Sequence, residues 1–396
     1  MITRYISCIC FLWYHIRMDQ TTDTKRTFER NSAFELLRIF AILFIIAHHF
    51  SVHGGFNFAA LEQTTTVVFN GTWIDFLGQL GKVGVNLFVL ISSFFLIDNT
   101  RFKTKKFLGL LLEMLTFGII IGLIFFFKNK TEFSVPWLKS LLFPFGSSTW
   151  WFMTNYLLLY LFSPLLNRGI RALNKQAHLI LTIVFLVIWS LLPTLIGKDY
   201  AFTNIGWFIT LYLIGSYIKI YDISLKMKPW AGILLSIGIF ITWFAIKFVF
   251  SYYYKGGDYF LTRLLSWFNL ITMNNSVQVL AVIIMFLAFK DIKMKNIKPI
   301  NFVASTCLAI YLFHDHGNIR YFLWIELFKN AAWSSSVYLF IYSLGIILLV
   351  FVVGFVIGVI YRFTFGLGYN ALLNLFDKKC LYKIDNCFNK PKEENE

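Results

Sequence analysis

Apolar runs of membrane length recur along the whole chain, and they leave little choice of fold. About ten can be read, at 33–51, 81–97, 107–127, 150–167, 179–197, 203–220, 230–250, 272–290, 301–316 and 336–361. A hydrocarbon layer about 30 Å thick takes roughly 20 apolar residues of helix to cross. Only helices and closed barrels satisfy their backbone inside it. Most of the runs meet that length; 81–97 and 301–316 are short and fit tilted or kinked helices. The pattern predicts an all-α polytopic membrane protein, a bundle of about ten transmembrane helices. Composition agrees, since charged residues make up 14% of the chain, against about 25% in soluble domains.

A net charge of +16 in a soluble protein would point to nucleic acid. Here the cations sit in alternate connections. They are Arg17, Lys25, Arg26 and Arg30, then Arg101, Lys103, Lys105 and Lys106, then Arg168, Arg171 and Lys175. Lys226 and Lys228 follow, then Lys293, Lys295 and Lys298, and last Arg362, Lys378, Lys379 and Lys383. This is the positive-inside pattern of a protein in the cytoplasmic membrane. It removes the need for a nucleic-acid partner, places both termini in the cytoplasm and puts loop 52–80 outside. The chain divides into a cytoplasmic N-terminal extension (1–30), a membrane-embedded domain (31–365) and a cytoplasmic tail (366–396) too small for a domain. Ile6–Ile16 is too short to span and no small-residue cleavage site follows it. It reads equally as an interfacial helix or as a stretch ahead of a start at Met18. Cys8, Cys10, Cys307, Cys380 and Cys387 have no metal or extracellular disulfide spacing.

The first run carries Glu35, Arg38, His48 and His49 among apolar residues. Ionisable groups in a membrane helix are costly and usually face a bundle interior. Arg38 and His49 fall on nearly the same helical face, roughly 16 Å apart along the axis. Glu35 is placed to pair with Arg38. Two readings of each residue stand. Arg38 is a structural ion pair with Glu35 or a guanidinium that holds an anion. His49 is a hydrogen-bonded packing histidine or a reactive imidazole. His48 points about 100° away, toward packing, and His53 lies one turn beyond His49.

This stretch resembles the first helix of the acyltransferase 3 family of integral membrane acyltransferases, marked by Glu-x-x-Arg followed by His. Gly84-Val85-Asn86-Leu87-Phe88 through Ser92-Ser93-Phe94 is similar to the family's second helix, with Ser93 where a glycine is usual. Trp151-Phe152, Tyr156 and Ser163-Pro164 are similar to its fourth helix, and Ser305-Thr306, Ile310-Tyr311-Leu312 and His314, with Arg320 after them, to its ninth. The resemblance covers about residues 31–365.

It implies transfer of an acyl group, most often acetyl, from cytoplasmic acyl-CoA to a hydroxyl of a cell-surface polysaccharide or its lipid-linked precursor. His49, Arg38 and Glu35 are then the expected catalytic residues. His314, Glu113, Asn86 and Tyr311 are the expected donor- or substrate-binding ones. Glu113 needs a partner in the membrane, with Lys105, Lys106 or Arg38 in range. His49 acts as general base or carries the acyl group itself. His314-Asp315-His316 also reads as metal-binding, but no further ligand cluster is evident and no metal is expected. A transporter or flippase for a lipid-linked glycan is the alternative. It predicts helix pairs with inverted symmetry, and none is apparent. No Walker motif, dinucleotide fingerprint or nucleophile elbow occurs.

Overall fold

The computed structural model describes residues 31–99, 101–129, 134–143, 150–196, 203–254 and 272–389. The expected N-terminal extension, with Ile6–Ile16, lies outside the described residues. Among the described residues every regular element is helical. Helix α1 runs Ser32–Val52 and α2 Thr65–Leu96. There follow α3 (Thr104–Asn129), a short α4 (Val135–Leu142), α5 (Trp151–Ala172), α6 (Lys175–Leu186) and α7 (Asn204–Ile220). The order continues with α8 (Pro229–Tyr254), α9 (Ser276–Asp291), α10 (Lys298–Ala304), α11 (Cys307–His314) and α12 (Leu339–Tyr361).

Among the described residues, six stretches are long and apolar enough to cross a bilayer: α1, α2, Thr104–Lys128, Lys175–Ile196, Pro229–Tyr253 and Leu339–Phe376. Every expected run falls on helix, but α7 and α9 are only 17 and 16 residues long. The chain is a multi-pass membrane protein. Lys175–Ile196 and Pro229–Tyr253 leave most of their apolar surface uncovered, as lipid-facing helices do, whereas α1 and α2 are mostly buried.

Helix α1 is the axis of the bundle. It lies along α2 and touches α9, α10, α11 and α12. Asn31 starts it, its side chain accepting from the Ala33 amide at 2.9 Å and donating to the Ile292 carbonyl at 3.0 Å. Ser32 Oγ donates to Asn301 Oδ1 and accepts from the Ile297 amide. The start of α1 is thus stapled to the loop between α9 and α10. Along α2, Gly84 and Gly81 let the two helices close. A Cβ at Gly84 would meet the Ala41 carbonyl oxygen at 2.4 Å, and one at Gly81 the His48 side chain at 2.3 Å.

Ser93, in place of the usual glycine, does not loosen the packing. It is fully buried, with its hydroxyl donating to the Val89 carbonyl at 2.6 Å. The glycine stands on the facing helix instead, where a Cβ at Gly215 of α7 would meet Ser93 Cβ at 2.7 Å. At the far end of α2, Asn167 of α5 donates to the Leu96 and Asn99 carbonyls and accepts from the Tyr212 hydroxyl.

Three expected boundaries move. The second helix begins at Thr65, not near 81, because Asn70 and Thr72, which break the apolar run in sequence, are satisfied in place. Asn70 Nδ2 donates to the Ser334 and Ser336 carbonyls at 2.9 and 2.8 Å. The run 301–316 is cut in two where the Ser305 and Thr306 hydroxyls bond back to the Phe302 and Val303 carbonyls, a local alternative to helical pairing. Past residue 366 the chain stays helical, with Leu367–Phe376 and Tyr382–Asn389 joined by a wide turn. Asp385 accepts from the amide and hydroxyl of Thr104, at the start of α3.

The helix approach is directly testable. Gly84→Leu overpacks the α1–α2 contact and is expected to destabilise by about 1–3 kcal/mol, read as a lower unfolding temperature in detergent. Gly169→Leu, where no atom lies within 4 Å of the added Cβ, is expected to leave that temperature unchanged.

Candidate active site

The packing of α1 against α11 decides where the ionisable groups meet. His49, near the end of α1, and His314, at the end of α11, have ring centroids 5.0 Å apart and are both buried. Asp315 is buried beside them, with Oδ1 3.2 Å from His49 Nε2. The Tyr311 hydroxyl, one turn back on α11, lies against the same carboxylate. Arg320 Nη1 is 3.7 Å from Asp315 Oδ1 and 3.1 Å from His53 Nε2, to which it donates. Burial and that guanidinium press the His53 imidazole down to about 4, so His53 is a neutral acceptor at physiological pH. The result is a ladder, His49–Asp315–Arg320–His53, from the bundle interior toward its surface.

The ring nitrogens have distinct tasks. His314 Nδ1 donates to the Ile310 carbonyl at 2.6 Å, which leaves Nε2 as the unprotonated atom. His49 turns Nε2 to Asp315, which leaves Nδ1. Among the described residues, both remaining nitrogens are buried without a hydrogen-bond partner. His48 differs from its neighbour, because its Nδ1 donates to the Gly78 carbonyl and ties α1 to α2. A cavity of about 20 Å³ lies beside this group, lined by His48, His49, Lys82, Trp151, Phe152 and Tyr311 among others. That is room for about one water-sized atom.

His49, His53 and Asp315 bring one ligand atom each within 4.8 Å of one another, a grouping that the sequence did not reveal. Arg320 already stands against two of the three, and its positive charge opposes a cation there. The chemistry that fits is proton handling.

The other expected residues lie elsewhere. Arg38 is at the opposite end of α1, with Nη1 3.2 and 3.0 Å from the two Glu35 carboxylate oxygens. Its backbone carbonyl accepts from Cys307 Sγ at 3.8 Å. Glu113 forms no ion pair among the described residues; its expected partners Lys105, Lys106 and Arg38 do not reach it. It lines a second cavity of about 610 Å³, whose wall includes Lys103, Lys105, Lys106, Tyr361 and Arg362. Residues beyond 366 complete that wall, among them Tyr369, Asn370 and Asp377. Asn86 is in neither place, because its amide is occupied as a brace. Nδ2 donates to the Met273 carbonyl at 2.7 Å, and Oδ1 accepts from Trp207 Nε1 at 2.9 Å. The two cavities share α11, with Ala309 on the wall of the larger and Tyr311 on that of the smaller. These positions differ by roughly 3 Å along the helix axis.

The acyltransferase domain that defines the acyltransferase 3 family matches residues 31–362. The chain belongs to the acyltransferase 3 family. It is therefore a membrane acyltransferase. No curated protein and no solved structure matches it. The family match ends at residue 362, and the residues beyond 366 that complete the wall of the larger cavity lie outside it. Asp315 and Lys82 are the site residues that sequence reasoning missed. In the sequence, Asp315 figures only within the metal-binding alternative for His314-Asp315-His316, and Lys82 is not singled out.

The meeting of α1 and α11 can be checked by crosslinking in membranes, with the native cysteines replaced. His49→Cys combined with His314→Cys is expected to link with a short bifunctional thiol reagent. Arg38→Cys combined with His314→Cys, with Arg38 roughly 16 Å along α1 from His49, is expected to stay unlinked.

Proposed function

We propose that this acyltransferase moves an acetyl group from cytoplasmic acetyl-CoA to a hydroxyl of a cell-surface polysaccharide or its lipid-linked precursor. The observation that carries the reading is the His49 imidazole, buried 3.2 Å from Asp315 at Nε2 and without a partner at Nδ1. At ion-pair distance the carboxylate favours the proton at Nε2 and stabilises the imidazolium when Nδ1 takes a second proton. A general base needs this arrangement, and the acceptor hydroxyl supplies the proton. His314, with its own free Nε2, is the second imidazole at the mouth and holds the hydroxyl in line.

The donor is assigned to the larger cavity. Lys103, Lys105, Lys106 and Arg362 on its wall suit the phosphates of coenzyme A. The Arg38–Glu35 pair steadies that end of α1. Both cavities touch α11, and in this reading the extended thioester arm reaches along that helix from one to the other. Orientation follows the basic loops, with both termini and the larger cavity cytoplasmic and the His49 mouth outside. Nothing favours the flippase alternative over this.

The test compares neighbours on one helix. General-base help is typically worth about 10²–10⁴ in rate. His49→Gln is expected to cut acetyl-CoA turnover with extracted cell-envelope glycan by a factor in that range. His48→Gln, which keeps an amide donor for Gly78, is expected to be much milder. Equal activity of the two at matched membrane levels would count against His49 as base. Topology has its own check. Gln63→Cys, exposed in the loop before α2, is expected to react with an impermeant thiol reagent on whole cells. Labelling only after the cells are opened would reverse the orientation.

A further inference from the structure

The mechanism leaves one charge near His49 unused. Lys82 is on α2, one residue after the glycine that brings α2 against His48, and it lines the small cavity with His49 and Tyr311. On the proposed orientation it lies inside α2 at the depth of His48, on the outer side of the bundle, where the positive-inside preference gives no reason for a cation. It is also turned inward. Its ammonium stands 5.3 Å above the Trp151 ring, and among the described residues no carboxylate lies within ion-pair distance of it. Asp315 is the acid whose field reaches it. An aromatic face holds a cation in position without neutralising it.

The other cationic and imidazole donors nearby are already engaged. His48 Nδ1 is bound to the Gly78 carbonyl, and Arg320 serves His53 and Asp315, while the Tyr311 hydroxyl is a neutral donor. The residues that line the small cavity come from α1, α2, the first turn of α5 and α11, and their backbone amides carry no charge. The ammonium of Lys82 is the positive donor that remains. The space beside it, about 20 Å³, suits a single oxygen atom better than a sugar or an acetyl group.

We infer that Lys82 is a catalytic residue that binds the carbonyl oxygen of the acyl thioester as that oxygen becomes negative. The inference rests on the acyl-transfer reading. In the step, the acceptor oxygen bonds to the thioester carbon while its proton passes to His49 Nδ1. The carbonyl π pair moves onto oxygen, beside the Lys82 ammonium. When the pair returns, the carbon–sulfur bond breaks and the leaving thiolate takes the proton back from His49. The products are an ester and a free thiol, with no other reactant needed. A fixed donor of this kind in a site closed to water is usually worth about 10²–10³ in kcat.

The experiment uses the full chain in lipid nanodiscs, with Lys82→Met to remove the charge at similar length and Lys82→Arg to keep it. With acetyl-CoA and extracted cell-envelope glycan, Lys82→Met is expected to lose about 10²–10³ in kcat with little change in KM, and Lys82→Arg to recover part of the loss. Two unreactive donors give a second readout. Acetonyl-CoA keeps a carbonyl and S-propyl-CoA lacks one. The wild-type chain is expected to bind acetonyl-CoA more tightly, and Lys82→Met to bind both alike, with S-propyl-CoA affinity retained as proof of folding. Wild-type kcat in Lys82→Met, or an undiminished preference for the carbonyl analogue, overturns the role of Lys82 alone. A wild-type chain that neither binds nor consumes acetyl-CoA overturns the acyl-transfer reading, and this inference with it.

Discussion

The contact between α1 and α2 sets the terms for the rest of the molecule. In a membrane interior, association rests on close van der Waals packing and on polar groups that satisfy one another. Gly81 and Gly84 bring the two backbones together, and His48 bonds across the gap to the Gly78 carbonyl. Once the pair is locked, the register of α1 is no longer free. Glu35 and Arg38 must fall at one end and His49 at the other, and α9, α10, α11 and α12 pack around them.

The two ends handle buried charge differently. At the Arg38 end compensation is local, within one turn of one helix, and the pair would survive almost any neighbour. At the His49 end it is shared between elements far apart in sequence, with Asp315 and Arg320 facing His49 and His53. Such a shared network has geometry only when the bundle is assembled. Its low-dielectric setting makes each partner costly to remove. That suits a site whose proton must be held at a defined atom.

Much of this was legible in the sequence, for physical reasons that also mark where legibility stops. The face shared by Arg38 and His49 follows from helical periodicity, which holds in any environment. His314 could be placed at the depth of His49 by counting residues from the starts of two parallel runs. Asp315 could not, because which of three adjacent polar residues turns inward depends on how α11 is broken from α10 at Ser305–Thr306. The first half of α2 was hidden by Asn70 and Asp75, which look like loop residues until their partners, Ser334, Ser336 and Lys247, are in view. Ser93 shows the same limit from the other side. A missing glycine on one helix says nothing about the glycine waiting on the next.

The segment that closes the larger cavity also fixes when that cavity is complete. Its wall is built by α3, made early in synthesis, by α11 and α12, and by helices beyond residue 366, made last. Asp385 reaches back to Thr104 across most of the chain. Chains are made and begin to fold from the N-terminus at about 5–20 residues per second, so the nascent bundle passes through a stage in which α1 and α2 are paired while the cavity still lacks its last wall. The pocket assigned to the donor is therefore finished late, by residues that follow the family's own domain.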